Sequence, residues 1–196
     1  MMDAAIAEVQ DDWSRIFARD CPIVIEPRHM PLSDHDIAPL LAKAPFVVRA
    51  EGKLGELAPQ LAELPQSLVA DIRSLAVRFA ELTGAASLRV RVEGVTTNAC
   101  KKVHSDYTDV RLITTYTGPG TDYAPHGDPD CCLERMPVGA IGLFKGRLFA
   151  RLTSENGHAP CFHRSPPIEG SGVKRLVLVI DTPEARPALV SLRHEP

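Results

Sequence analysis

The segment CKKVHSDYTDVRLITTYTGPGTDY, from Cys100 to Tyr123, sets a His and an Asp two residues apart and follows them with an Arg and a Gly-Pro-Gly turn. On an extended strand residues i and i+2 share a face, so His104 and Asp106 are expected to present an imidazole and a carboxylate side by side. Two such donors need a third to hold a divalent ion. His163, in CFHRSPP, is the expected partner, because that segment reads as a distal strand ended by the Arg164 to Pro167 turn; His126 and His158 lie in Gly- and Pro-rich loops. A two-His, one-carboxylate set binds one side of an octahedral ion and leaves positions open for substrate and dioxygen, which is the logic of non-haem Fe(II) oxygenases. Arg175, opening the run RLVLVID, could grip a carboxylate bidentately at the mouth of such a site, and Arg111 is a second candidate anion partner.

Five cysteines offer a rival chemistry. Cys100 and Cys161 sit just upstream of the two proposed imidazole ligands, so pairing of their strands could bring both sulfurs to the same ion, and thiolate with imidazole favours zinc. The adjacent Cys131 and Cys132 could close such a site. Against this, no C-x-x-C spacing occurs, and small buried core cysteines are the commoner outcome. The polar, turn-rich stretch DYAPHGDPDCCLERMP, with Tyr123, His126, Cys131 and Cys132, is either a lid over the site or a solvated excursion.

The elements that must position these groups can be read from periodicity. Residues 4 to 19 space Ile6, Val9, Trp13, Ile16 and Phe17 as one helical stripe, expected to dock by its Trp face. A Pro-punctuated segment follows, with Ser33 and Asp36 as a helix start before IAPLLAK. Leu68, Ile72, Leu75, Ala76, Phe79 and Leu82 predict a helix from about Pro65 until Gly84. LRVRVEGV then alternates as a half-buried strand does, and VRLITTY, AIGLFKG, GRLFARL and KRLVLVID are expected strands of a sandwich or barrel. The class is α+β: amino-terminal helices on a β-barrel. A single domain spans residues 1–196, mainly helical over 1–85, with the barrel and metal site over 86–184 and a tail over 185–196.

Composition narrows the function. The net charge of -3 gives no phosphate-tracking surface, so nucleic acid is not an expected partner. No apolar run reaches the ~18 residues of a membrane span and the acidic start is unlike a signal peptide, so a cytoplasmic protein is expected. Nucleophile-elbow, phosphate-loop and dinucleotide fingerprints do not occur, which leaves hydrolase, nucleoside-triphosphatase and dehydrogenase readings without support.

The order of His104-Ser105-Asp106, Arg111, PVGAIGLFKG, His163 and Arg175 resembles the 2-oxoglutarate and iron dependent oxygenases. That resemblance implies a cupin-like double-stranded β-helix (jelly roll) over roughly residues 87 to 182, with H-x-D and a distal His as iron ligands and Arg175 binding the co-substrate carboxylate. In detail, C-x-x-x-H-x-D, R-L-x-x-T-Y-x-G-P-G-T, F-K-G and H-R-S-P-P are similar to a bacterial family catalogued as domain-of-unknown-function family 1826. Val103 and Asp122-Tyr123 depart from that family's usual aromatic and Trp at those places, which bears on pocket shape. The resulting expectation is a metal-dependent oxygenase acting on a small molecule or peptide, with Fe(II) as the first choice of metal, zinc as the alternative, and 2-oxoglutarate as co-substrate. A non-catalytic zinc-handling protein and a metal-free cupin-like binding module are the alternatives. Oligomeric state is not readable from the sequence.

Overall fold

Among the described residues nine strands carry the fold: β1 (Ile23–Glu26), β2 (Phe46–Gly52), β3 (Leu88–Val95), β4 (Val110–Thr117), β5 (Asp122–Tyr123), β6 (Glu134–Arg135), β7 (Ile141–Lys145), β8 (His163–Arg164) and β9 (Arg175–Asp181). They form a six-stranded antiparallel sheet in the order β1-β7-β4-β9-β3-β2 and a small sheet in the order β6-β5-β8. The helices are α1 (Asp34–Lys43), α2 (Leu54–Gln60), α3 (Gln66–Thr83) and the short α4 (Ala150–Thr153), preceded by a 3-10 turn at Asp12–Phe17. This computed structural model describes residues 12–128, 130, 132–153 and 157–183.

Alternation along the large sheet separates two faces. Val90 and Val92 of β3, Leu112 and Tyr116 of β4, and Leu176, Leu178 and Ile180 of β9 share one core cluster with Leu68, Ile72, Leu75 and Phe79 of α3. The intervening residues, among them Ile113, Phe144, Val177 and Val179, form a second cluster with Tyr123, Met136 and Cys161. Period-2 strands thus give the sheet one apolar side and one mixed side, and the mixed side carries Arg89, Arg91, Arg111 and Arg175. Helix boundaries follow local chemistry. Ser33 and Asp36 form a reciprocal capping box at α1, and Gly84 ends α3 in the left-handed region at φ 67°.

Two expectations need correction. GRLFARL is a turn followed by α4, not a strand, because the backbone N–H groups of Gly146, Arg147 and Leu148 bond to carbonyls of the 106–109 loop instead of a sheet neighbour. The amino-terminal part also supplies two strands, and FVVRAEG carries their signal: Val48 and Ala50 face inward while Val47, Arg49 and Glu51 are exposed. Within the expected helix over residues 4 to 19, Trp13 and Ile16 are buried in the main core, whereas Ile6 and Val9 lie outside the described residues, as does the tail. No helix among the described residues is long and apolar enough to cross a membrane.

Ile72, fully buried on α3, is expected to cost about 2–5 kcal/mol when replaced by Ala. Val77→Ala on the exposed side of the same helix should cost less than about 1 kcal/mol. Urea unfolding of both variants checks the assignment of the α3 face.

Candidate metal centre

His104 lies in the connection between β3 and β4, not on a regular strand, and forms one isolated antiparallel bridge with His163 on β8. Two backbone bonds make the bridge, His104 N–H to the His163 carbonyl at 3.0 Å and His163 N–H to the His104 carbonyl at 2.8 Å. The strand expected for H-x-D is therefore reduced to this single pair. The Asp106 loop is held from the other side by the segment after β7: Arg147 N–H reaches the Asp106 carbonyl at 2.9 Å, and Arg147 Nε donates to Ser105 Oγ at 2.5 Å. Gly146 is needed for this approach, since a Cβ there would collide with the Thr108 carbonyl.

His104, Asp106 and His163 each turn a donor atom inward, and the three atoms lie within 4.8 Å of one another. His104 Nδ1 bonds to the Lys102 carbonyl at 2.9 Å and His163 Nδ1 faces the Cys161 carbonyl at 3.4 Å, so in each neutral ring the Nε2 lone pair is the free one. His163 Nε2 stands 3.2 Å from Asp106 Oδ2 and His104 Nε2 stands 3.7 Å from Asp106 Oδ1. Neighbouring ligands on an ion with bonds of about 2.1 Å stand about 3 Å apart, so the spacing of His163 Nε2 and Asp106 Oδ2 suits a shared ion. Asp106 Oδ2 is buried and has no hydrogen-bond partner, which is the atom such an ion would satisfy. Burial alone would push the Asp106 carboxyl up, but contact with the His163 ring and the charge of Arg111 outweigh it and hold it at about 2. It is ready as an anionic ligand.

Arg111 Nη1 lies 2.6 Å from Asp106 Oδ1, and its Nη2 lies 2.7 Å from Asp181 Oδ2. Both edges of the Arg111 guanidinium are thus occupied by the protein's own carboxylates. Arg175 is different. Its side chain is 1% exposed, yet among the described residues no carboxylate stands within ion-pair distance of it. Its Nε donates to the Pro119 carbonyl at 2.7 Å and its Nη2 reaches the Thr115 and Thr121 hydroxyls at 3.3 and 3.4 Å. Burial brings its guanidinium down to about 10. The Gly-Pro-Gly turn makes this enclosure: Gly118, at φ 79°, packs so closely on the Lys174 carbonyl that no Cβ fits. Arg175, Thr121, His104 and His163 line one cavity of about 70 Å³.

The remaining sequence candidates fall outside the donor set. Cys161 is fully buried in the second cluster, where burial and the negative Asp106 push its thiol well up, away from the thiolate that zinc needs. Cys100 is exposed and lines the cavity without joining the converging donors. Tyr123 belongs to β5, buried, with its hydroxyl donating to Glu134 Oε2 at 2.7 Å. His126 and Cys132 are exposed and do not line the cavity, and Cys131 lies outside the described residues. Sequence reasoning missed Ser105 and Arg147, which fix the loop, and Asp181, which shares Arg111; their types carry no signal until the register is known.

Residues 16–181 match a protein family described as "Protein of unknown function (DUF1826)". No curated protein matches the sequence. Solved structures do resemble it. AtDAO1, a dioxygenase for auxin oxidation from Arabidopsis thaliana in complex with 2-oxoglutarate, aligns with a TM-score of 0.57 at 8% identity, over 87% of this chain and 86% of that one. A putative oxygenase from Shewanella oneidensis aligns at 0.55 with 14% identity, over 89% and 87%. JOX2, solved with 2OG, Fe and JA, aligns at 0.53 with 11% identity, over 86% and 69%. At these identities the likeness is one of fold alone: an α+β chain whose fold matches those of these solved proteins.

Iodoacetamide applied to the native protein should label Cys100 and Cys132 and spare Cys161 until denaturant is added. Native-state labelling of Cys161, read by mass spectrometry, would contradict the described burial.

Proposed function

We propose that this chain, which belongs to the DUF1826 family, is a non-haem Fe(II) oxygenase that takes 2-oxoglutarate or a similar 2-oxo acid as co-substrate. The observation that carries the reading is a pairing in one small cavity. His104 and His163 line it, with donor atoms within 4.8 Å of each other and of the buried Asp106 carboxylate, and so does Arg175, a buried guanidinium with no carboxylate within ion-pair distance among the described residues. A buried cation costs several kcal/mol unless it is compensated, so a retained Arg175 fits a site that an anion completes. A 2-oxo diacid supplies that anion with its distal carboxylate while its 2-oxo-acid end reaches the metal side. We read the two sheets as those of a double-stranded β-helix, with the centre between them.

The roles of the chain's own residues follow from their partners. His104 Nε2, His163 Nε2 and Asp106 Oδ2 would hold the metal, and the Lys102 and Cys161 carbonyls orient the two rings. Arg111 fixes the Asp106 carboxylate by its other oxygen and keeps it charged. Thr115 and Thr121 set the Arg175 fork at the angle from which it meets a carboxylate. Iron, when bound, supplies the dioxygen chemistry that no side chain here can supply. The donor set holds nitrogen and oxygen but no sulfur among the described residues, which favours iron over a closed zinc-thiolate site.

Anaerobic addition of Fe(II) and then 2-oxoglutarate should produce a weak visible charge-transfer band. Asp106→Ala should abolish it. Arg175→Met should retain Fe(II) while weakening 2-oxoglutarate about tenfold to a hundredfold, the worth of a charge-assisted bond. Metal-replete protein that shows no band with 2-oxoglutarate would overturn the co-substrate assignment, and X-ray absorption showing sulfur ligands would overturn the ligand set.

A further inference from the structure

Beside the small cavity opens a larger basin of about 390 Å³, and Arg91, Arg111 and Val179 line both. The basin also carries Arg49, Arg89, Glu51, Gln60 and Asp181. Its floor is the mixed face of β2, β3 and β9, where the register sets Arg49 directly opposite Arg91 and Arg91 directly opposite Val179. Like charges facing each other across an antiparallel pair are destabilising, and this pair sits where the sheet gains nothing from it.

The charged groups of the basin are not equally committed. Arg89 and Arg111 both bond to Asp181, and Arg111 also holds Asp106. Gln60 is tied to the backbone of Glu51 and Glu56. Arg91 forms no hydrogen bond among the described residues, and its one ion-pair partner among them is Glu93, 3.0 Å from its Nε. Arg49 is exposed and has neither a hydrogen bond nor an ion pair among the described residues. The unpartnered carboxylate of Glu51 moderates the positive charge without neutralising either fork.

We propose that this basin binds the primary substrate and that Arg49 and Arg91 grip an anionic group on it, a carboxylate or a phosphate. The substrate class is then a small acid. Its charged end is clamped over β2 and β3 while the rest extends past Arg111 toward the His104 and His163 edge. Two guanidinium forks on adjacent strands converge on one planar or tetrahedral anion, which relieves the repulsion the register creates. The assignment of the anion as substrate rests on the oxygenase reading, whereas the anion site itself does not.

The test uses metal-free full-length protein, titrated by calorimetry with phenylacetate, phenyl phosphate and, as a neutral control, 2-phenylethanol. Binding of at least one anion and not of the alcohol is expected, with the preferred anion naming the class. Arg49→Gln with Arg91→Gln should weaken that binding at least about tenfold. The double variant should melt no lower than the parent and should keep the parent's Fe(II) and 2-oxoglutarate band. Equal affinity of parent and double variant, no anion binding by the parent, or equal binding of the alcohol would each overturn the basin proposal. Anion binding lost in the double variant of a protein that gives no iron band would leave the basin site standing and remove the oxygenase reading instead.

Discussion

A carboxylate kept ionised inside the protein governs the architecture around it. Asp106 is 8% exposed, and a charge at that depth would neutralise itself by taking a proton unless neighbours compensate. Arg111 is the fixed compensation, and it requires its own: Asp181 faces it from β9, and Arg89 faces Asp181 from β3. The result is an alternating chain of Asp106, Arg111, Asp181 and Arg89 across three neighbouring strands, leading from the His-Asp-His cluster to the open basin. Removing Arg111 would strip the buried Asp106 of its guanidinium partner, which is far more costly than never having had the pair.

The fold serves this arrangement by bringing distant segments into one register. β4 and β9 supply Arg111, Asp181 and Arg175, and Tyr116, unpaired at the irregularity between Thr115 and Thr117, faces the main core as Leu112 does by strand alternation. There its hydroxyl donates to Asp71 at 2.6 Å, and Arg28 grips the same carboxylate. One inserted residue thus ties the helical side to the sheet while Thr115 stays beside Arg175 on the opposite face. The His104 to His163 bridge does for the donor set what this network does for the core.

Where side-chain period decided structure, the sequence was legible. LRVRVEGV could only be a two-faced strand, and the apolar stripe ending at Gly84 could only be a helix facing the core. FVVRAEG alternates as clearly, but Pro39 and Pro45 just before it mask the signal of β2. GRLFARL misled because its apolar residues suit a strand, while its backbone groups are consumed by the 106–109 loop, a long-range pairing no local window contains. At the site, H-x-D and Arg175 stood out by residue type and spacing. The division between Arg111, spent on the protein's own carboxylates, and Arg175, left without one, depends on partners as far as 70 residues away in the chain, which no local window contains.

The position of β2 at the end of the sheet has a consequence for how such a protein can diversify. It pairs with β3 alone, and Arg49 and Glu51 hang from it into the basin without contributing to the alternating charge chain. A border strand of this kind can exchange its outward residues and leave the inner ligands, their tethers and the Arg175 enclosure undisturbed. On the function proposed above, relatives can come to accept new molecules by rewriting a few positions on this margin, while the proposed metal centre is inherited whole.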